Sequence, residues 1–196
     1  DYMKKYNMFD TQVRENKTTG AFTTYINAYE TPFVFMNEMG GASDVETFSH
    51  EFGHAFHAFR IGSAGISCSS DIAEIASYGM EMLATYNFDT FFGDDAQDVM
   101  LSNFYYKLQI MLLTSFMDEF QYDVYSNPNM TIEQRNSKYA SLYKEYFKGT
   151  SASHPAYSKG ICWTNPSHVF ASPYYSIDYT LALTAAFQLW EIGQVD

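Results

Sequence analysis

Five consecutive residues carry the strongest chemical signal: His50-Glu51-Phe52-Gly53-His54. On an α-helix, positions four apart share a face. Both imidazoles then point to one place, and a tetrahedral zinc ion accepts that geometry. Glu51 lies one position along. It can reach a water in an open coordination position and take its proton as the water attacks a carbonyl. His50 and His54 are therefore expected to bind metal, with Glu51 as general base. The competing reading is a surface helix with two satisfied histidines. A helix-start pattern, Ser43-Asp44-Val45-Glu46, argues against it by placing the motif in mid-helix.

A catalytic zinc needs a third protein ligand. The metzincin pattern would put Gly at 57 and His at 60, and this chain has His57 and Arg60. His57 is a turn beyond the pair and cannot join it without distortion, so it is expected to support the site from outside or to face the core. Glu74 and Glu81 are better candidates. They are two helical turns apart, on one face with Ser77 and Tyr78. A short connection over 60–70 implies that their helix packs antiparallel on the first. Glu74 would be the ligand, and Glu81 would accept a hydrogen bond from a ligand imidazole. Glu74 could instead close a capping box begun by Asp71, and Glu81 could be a solvated face residue. The thermolysin-type pattern, with Asp four residues after the ligand Glu, is absent because Tyr78 stands there.

The elements that must hold these residues read as mostly α, with a small sheet near the N-terminus. Ala21–Ile26 and Pro32–Asn37 are short, β-branched or aromatic runs, expected as a hairpin or a pair of strands. Helices are expected from the Ser43 box to about Phe59, from the Asp71 box to about Tyr86, and from about Ala96 to Tyr125. In the third, Leu101, Phe104, Leu108, Leu112, Phe116 and Phe120 recur every three or four positions. Thr131 and Gln134 form a further capping box for a helix to about Phe147. A loop over 149–173 precedes a last helix from about Tyr174 to Trp190.

The 196 residues suit one domain or part of a larger protein. The chain carries 17 Tyr and 17 Phe, enough to line a core or cleft with rings. A net charge of −12 makes nucleic acid and anionic membrane poor partners. Cys68 and Cys162 lack CxxC spacing and suggest reduced thiols and a cytoplasmic setting. The most apolar stretch, Ile110–Leu113, is soon broken by Asp118 and Glu119, far short of a spanning helix. The start at Asp1-Tyr2-Met3 and a final helix still running at Trp190 suggest a fragment of a longer protein.

The segments His50–His57 and Ala73–Glu81 resemble the oligoendopeptidase F and thimet oligopeptidase family of zinc peptidases. Gly20-Ala21-Phe22, Pro32–Asn37 and His168–Ala182 are similar to other segments of that family, so the resemblance covers nearly the whole chain. It implies a helical zincin-type catalytic domain over residues 1–196, the C-terminal portion of a longer chain whose N-terminal part builds the opposite wall of a channel. It implies a metalloendopeptidase with one zinc per chain, acting on oligopeptides. It supplies Glu74 as the third ligand. It also implies that His168, Tyr175 and Tyr179 bind substrate and stabilise the tetrahedral intermediate, with Tyr174 the open alternative beside Tyr175. Negative charge builds on the carbonyl oxygen there, and a phenol can donate a hydrogen bond to it. The strand at Phe33–Met36 would add an extended peptide at a sheet edge, or lie between two neighbours. The rival from another class is a peptide-binding module without turnover. A purely structural zinc fits poorly, because such sites usually take four ligands and favour Cys.

Overall fold

The computed structural model describes residues 2–62, 69–148 and 155–195. They form two compact units: residues 1–105 with 181–196, and residues 106–180. Among the described residues, no helix is long and apolar enough to cross a membrane.

The first unit begins with a short helix, α1 (Tyr2–Lys5), and three strands: β1 (Phe9–Asp10), β2 (Phe22–Ile26) and β3 (Thr31–Phe35). The strand order is β1-β3-β2. β3 is parallel to β1, with Phe9 opposite Val34, and antiparallel to β2, with Thr23 opposite Val34. The middle strand is thus flanked on both sides, which removes the edge at Phe33–Met36 where a peptide could add. β1 has only two residues and carries no alternation pattern, so nothing in its sequence announces it. Lys17 anchors the sheet by donating to the carbonyls of Asp10 and Met36, at 3.0 and 2.6 Å.

Helix α2 (Ala42–Ile61) packs across β2 and β3. It begins earlier than the Ser43 box predicts: Gly41 is the N-cap. The carboxylate of Asp44 accepts from the N–H groups of Met39, Gly40 and Gly41 at 2.9, 2.6 and 3.3 Å. A negative charge there satisfies the backbone donors of the segment leading into the helix and complements its dipole. Gly62, with φ of +66°, ends the helix where a side chain would be strained.

Helix α3 (Ser70–Ala84) starts with Ser69 as its N-cap and no side-chain capping bond, so the Asp71–Glu74 box does not form. Glu74 turns inward instead. Glu74, Ser77, Tyr78, Glu81 and Met82 all lie on the buried side of α3, and α3 packs on α2. The two backbones meet closely at Gly53. A Cβ there would sit 2.5 Å from the Ala76 carbonyl oxygen and 2.6 Å from Ser77 Cα. Helix α4 (Phe88–Phe92) follows, and α5 (Ala96–Ser126) begins in this unit. The final helix, α9 (Ser176–Gly193), returns to it with Ala182, Leu183 and Ala186 buried. Trp190 donates its indole N–H to Thr85 Oγ1 at 3.0 Å and meets Phe104 edge to face at 4.9 Å.

The second unit is built on an aromatic core of Phe116, Met117, Phe120, Tyr139 and Leu142, from α5 and α6 (Ile132–Tyr146). The Thr131–Gln134 box forms as expected: Gln134 N–H donates to Thr131 Oγ1, and Thr131 N–H donates to Gln134 Oε1. The stretch expected as loop over 149–173 contains two four-residue helices, α7 (Pro155–Ser158) and α8 (His168–Ala171). Cys162 is a free thiol, while Cys68 lies outside the described residues.

Candidate metal centre

His50 and His54 stand one turn apart on α2, with ring centroids 4.8 Å apart and planes crossed at 83°. Glu74 reaches them from α3. Its Oε2 lies 3.5 Å from His50 Nε2 and 3.7 Å from His54 Nε2. Ligands about 2.0–2.1 Å from one tetrahedral ion stand about 3.4 Å apart. The donor set therefore fits zinc in chemistry, and both carboxylate–imidazole spacings match it. These three residues are the group able to hold a metal among the described residues. His57, a turn farther along, stays outside it.

His50 and Glu74 are each steered by a neighbour. Glu81 Oε1 lies 2.6 Å from His50 Nδ1, the contact expected from its position two turns after Glu74. That contact assigns the Nδ1 proton to the bond with Glu81 and leaves the Nε2 lone pair toward Glu74. Tyr78 meets the same imidazole edge-on at 5.1 Å. Ser77 donates to Glu74 Oε2 at 2.9 Å, fixing the carboxylate from within its own helix. The His50 contacts with Glu74, Glu81 and Tyr78 require α2 and α3 to lie close together, which the absence of a side chain at Gly53 permits. Sequence spacing gives the face shared by Ser77 and Tyr78, but it carries no sign of the Gly53 approach.

Burial sets the electrostatics. Burial disfavours the His50 imidazolium, yet the Glu81 hydrogen bond and the charges of Glu81, Glu74 and Glu51 outweigh it and raise the pKa. His54 goes the other way, lowered first by burial and then by the His50 charge. Glu51 is 5% exposed. Burial raises its pKa, while a hydrogen bond from Thr23 works against that shift. A carboxyl pushed upward is a better proton acceptor than one in water. Thr23 donates from β2 to Glu51 Oε2 at 2.8 Å, a contact no sequence pattern announces.

The second unit gathers the other expected residues. His168 stacks on Tyr175 at 5.1 Å, and Tyr179 meets Tyr175 edge to face at 5.2 Å. Tyr174 does not join them. Its backbone is left-handed, with φ of +61°, its N–H donates to Gln121 Oε1 at 3.1 Å, and its ring packs on Tyr125. The adjacent tyrosines are thereby separated: Tyr175 stays with His168 and Tyr179, and Tyr174 turns away.

Comparison with known proteins places these features in context. A search of curated proteins finds no match. Three solved structures align over the whole chain. PZ peptidase A with inhibitor 2 shares 29% identity at a TM-score of 0.89. A chain provisionally named oligoendopeptidase F shares 33% at 0.89. A second, from Bacillus anthracis str. Ames and also provisionally named, shares 28% at 0.80. The present chain spans only 36%, 35% and 32% of those chains. The model of one protein family, described as Peptidase family M3, matches residues 3–192. With that match running from α1 through α2 and α3 to the last helix, the chain belongs to peptidase family M3.

Proposed function

We propose that this chain carries the metal site and general base of a zinc endopeptidase that hydrolyses short peptides. The observation that supports it most is the convergence of two Nε2 atoms and one carboxylate oxygen at zinc-bridging distances, with a second, buried carboxylate beside the histidines on α2. His50, His54 and Glu74 would hold one zinc per chain. Bound there, zinc supplies a Lewis acid for a carbonyl oxygen and acidifies a water.

The residues do the rest. Glu81 keeps the His50 proton on Nδ1, so Nε2 remains a ligand. Glu51 takes the proton of the attacking water and returns it to the departing amine. We assign His168, Tyr175 and Tyr179 to substrate binding and to hydrogen bonding of the oxygen that becomes negative. The chain spans about a third of its solved relatives, and we propose that residues 1–196 are the catalytic portion of a longer protein whose remaining sequence completes the peptide-binding cleft. Cysteine usage favours a cytoplasmic setting.

The test measures bound zinc per chain after dialysis, and peptide cleavage by the full-length protein. About one zinc is expected in the parent, far less in Glu74→Ala, and a parent-like amount in Glu51→Gln. Turnover in Glu51→Gln is expected to fall about 10²–10⁴-fold. Unchanged zinc affinity in Glu74→Ala would remove it as a ligand. Parent-like cleavage by Glu51→Gln would remove the base. Peptide bound but not cut by the zinc-loaded parent would favour a binding module.

A further inference from the structure

Among the described residues, one side chain from outside α2 donates a hydrogen bond to the Glu51 carboxylate. Thr23 Oγ1 lies 2.8 Å from the Glu51 carbonyl oxygen and 2.8 Å from Glu51 Oε2. A hydroxyl has one proton to give, and an ionised carboxylate is the stronger acceptor. The bond spans 28 positions in sequence and ties β2 to α2.

The two ends of this bond are unequal in stiffness. Thr23 is β-branched, with a restricted χ1, and it pairs across the sheet with Val34, which is fully buried. Its hydroxyl is therefore placed by the strand ladder. Glu51 has a long side chain, and its last torsion is broad and two-fold. Rotation about that torsion exchanges the two oxygens. A half-turn only relabels the oxygens, so what the Thr23 bond fixes is the carboxylate plane, with one oxygen engaged and the other left free to face outward. A neutral donor does this without adding a full positive charge beside the base, which would make it a poorer proton acceptor.

We propose that Thr23 is a positioning residue for the general base: it pins Oε2 of Glu51, so that Oε1 is the oxygen presented to the attacking water. The inference rests on Glu51 being the base. Thr23 acts through Glu51 and touches no substrate atom. A purely structural tie between β2 and α2 is the competing role, and it makes different kinetics.

The test compares Thr23→Val, Thr23→Ser and Glu51→Gln in the zinc-loaded full-length protein with a short internally quenched peptide. Thr23→Val keeps the shape and strand preference but removes the hydroxyl. It is expected to keep zinc content and KM within about twofold of the parent while kcat falls about 10- to 100-fold, the scale of a misplaced reacting group. Thr23→Ser restores the donor and is expected to recover most of kcat. A metal-free crystal structure of Thr23→Val is expected to show the Glu51 carboxylate in more than one orientation. An unchanged kcat in Thr23→Val overturns the proposal, as does a Thr23→Ser variant as impaired as Thr23→Val. A single parent-like Glu51 orientation in the Thr23→Val crystal overturns it as well. Full activity in Glu51→Gln brings down the base assignment itself, which is a separate failure.

Discussion

The two units solve different problems with different materials. Around α2 and α3, polar side chains are buried: Glu51, Glu74, Ser77 and Glu81 are all at most 6% exposed. Such groups are costly to bury unless each finds a partner, and here neighbours on β2, α2 and α3 supply them. In the second unit the cluster around Phe116 is mainly aromatic, Phe116 against Tyr139 at 4.8 Å and Phe120 against Tyr139 at 5.4 Å, although Lys107 and Gln121 are buried in that unit as well. Packing there is by shape, and the expected reaction residues form a ring stack rather than an ionic network. The difference teaches where function is exposed to damage. If the proposed roles hold, a change of one oxygen in the first unit alters chemistry before stability, while in the second most changes alter packing and only the hydroxyls proposed to meet substrate alter rate.

The largest effect that separates the two comes from the tyrosine hydroxyls. If Tyr175 or Tyr179 donates to the negative oxygen, its Phe variant loses about 10²–10³-fold in kcat while bound zinc is unchanged. The comparison breaks if both Phe variants turn over normally, because the second unit would then serve packing alone. Tyr174→Phe, placed away from the stack, is the control expected to leave kcat near the parent value.

A smaller effect comes from a matched pair of glycines. Gly53→Ala would force a Cβ to 2.5 Å from the Ala76 carbonyl oxygen and push α2 off α3. Gly160→Ala, in the second unit, would place one 1.9 Å from the Asn136 carbonyl oxygen on a backbone with φ of +70°. Overpacking of this kind costs about 1–3 kcal/mol, so both variants should melt earlier. Only Gly53→Ala should also release zinc, because only it moves Glu74 away from the histidines. Equal zinc retention at elevated temperature by the two variants would show that helix spacing does not govern the site.

The smallest effect concerns Asp118, which has a buried oxygen without a hydrogen-bond partner. Burial, then the charge of Asp178, raises its pKa above 3.8 in the folded chain. Ionisation is thus harder when folded than when unfolded. The folded chain binds more protons between the two values, and stability falls as pH rises through that window. Asp118→Asn should therefore raise the melting temperature at neutral pH by an amount worth less than about 1 kcal/mol. The gain should vanish below pH 3.8, where both forms are protonated. Melting curves at neutral and acidic pH check the sign, and a gain that persists in acid would rule out this origin.

Much of the candidate site is legible in the sequence. His50 and His54 share one helix face, and Glu74 and Glu81 share another, because the α-helix repeats every 3.6 residues. That rule needs no knowledge of the rest of the chain. The Thr131–Gln134 cap is equally local and equally readable. Helix starts are less so, and shift by a residue or two, because several polar residues compete for the same open N–H groups. At α2, Asp44 reaches back to the N–H groups of Met39, Gly40 and Gly41 and sets Gly41 as the N-cap, so Ser43 and Glu46 do not act as the cap.

Sequence periodicity by itself therefore nominated His50 and His54 as a chelating pair, Glu51 as a candidate base and Glu74 and Glu81 as candidate partners for the pair. Tertiary structure alone decided how they meet. The central place of β3, the close crossing at Gly53, the hydroxyl of Thr23 on Glu51 and the parting of Tyr174 from Tyr175 all join residues distant in sequence or depend on one backbone torsion. Local patterning fixes which face a residue occupies. It cannot specify what packs against that face, because the pairing energy belongs to the folded arrangement of the whole unit rather than to any single segment.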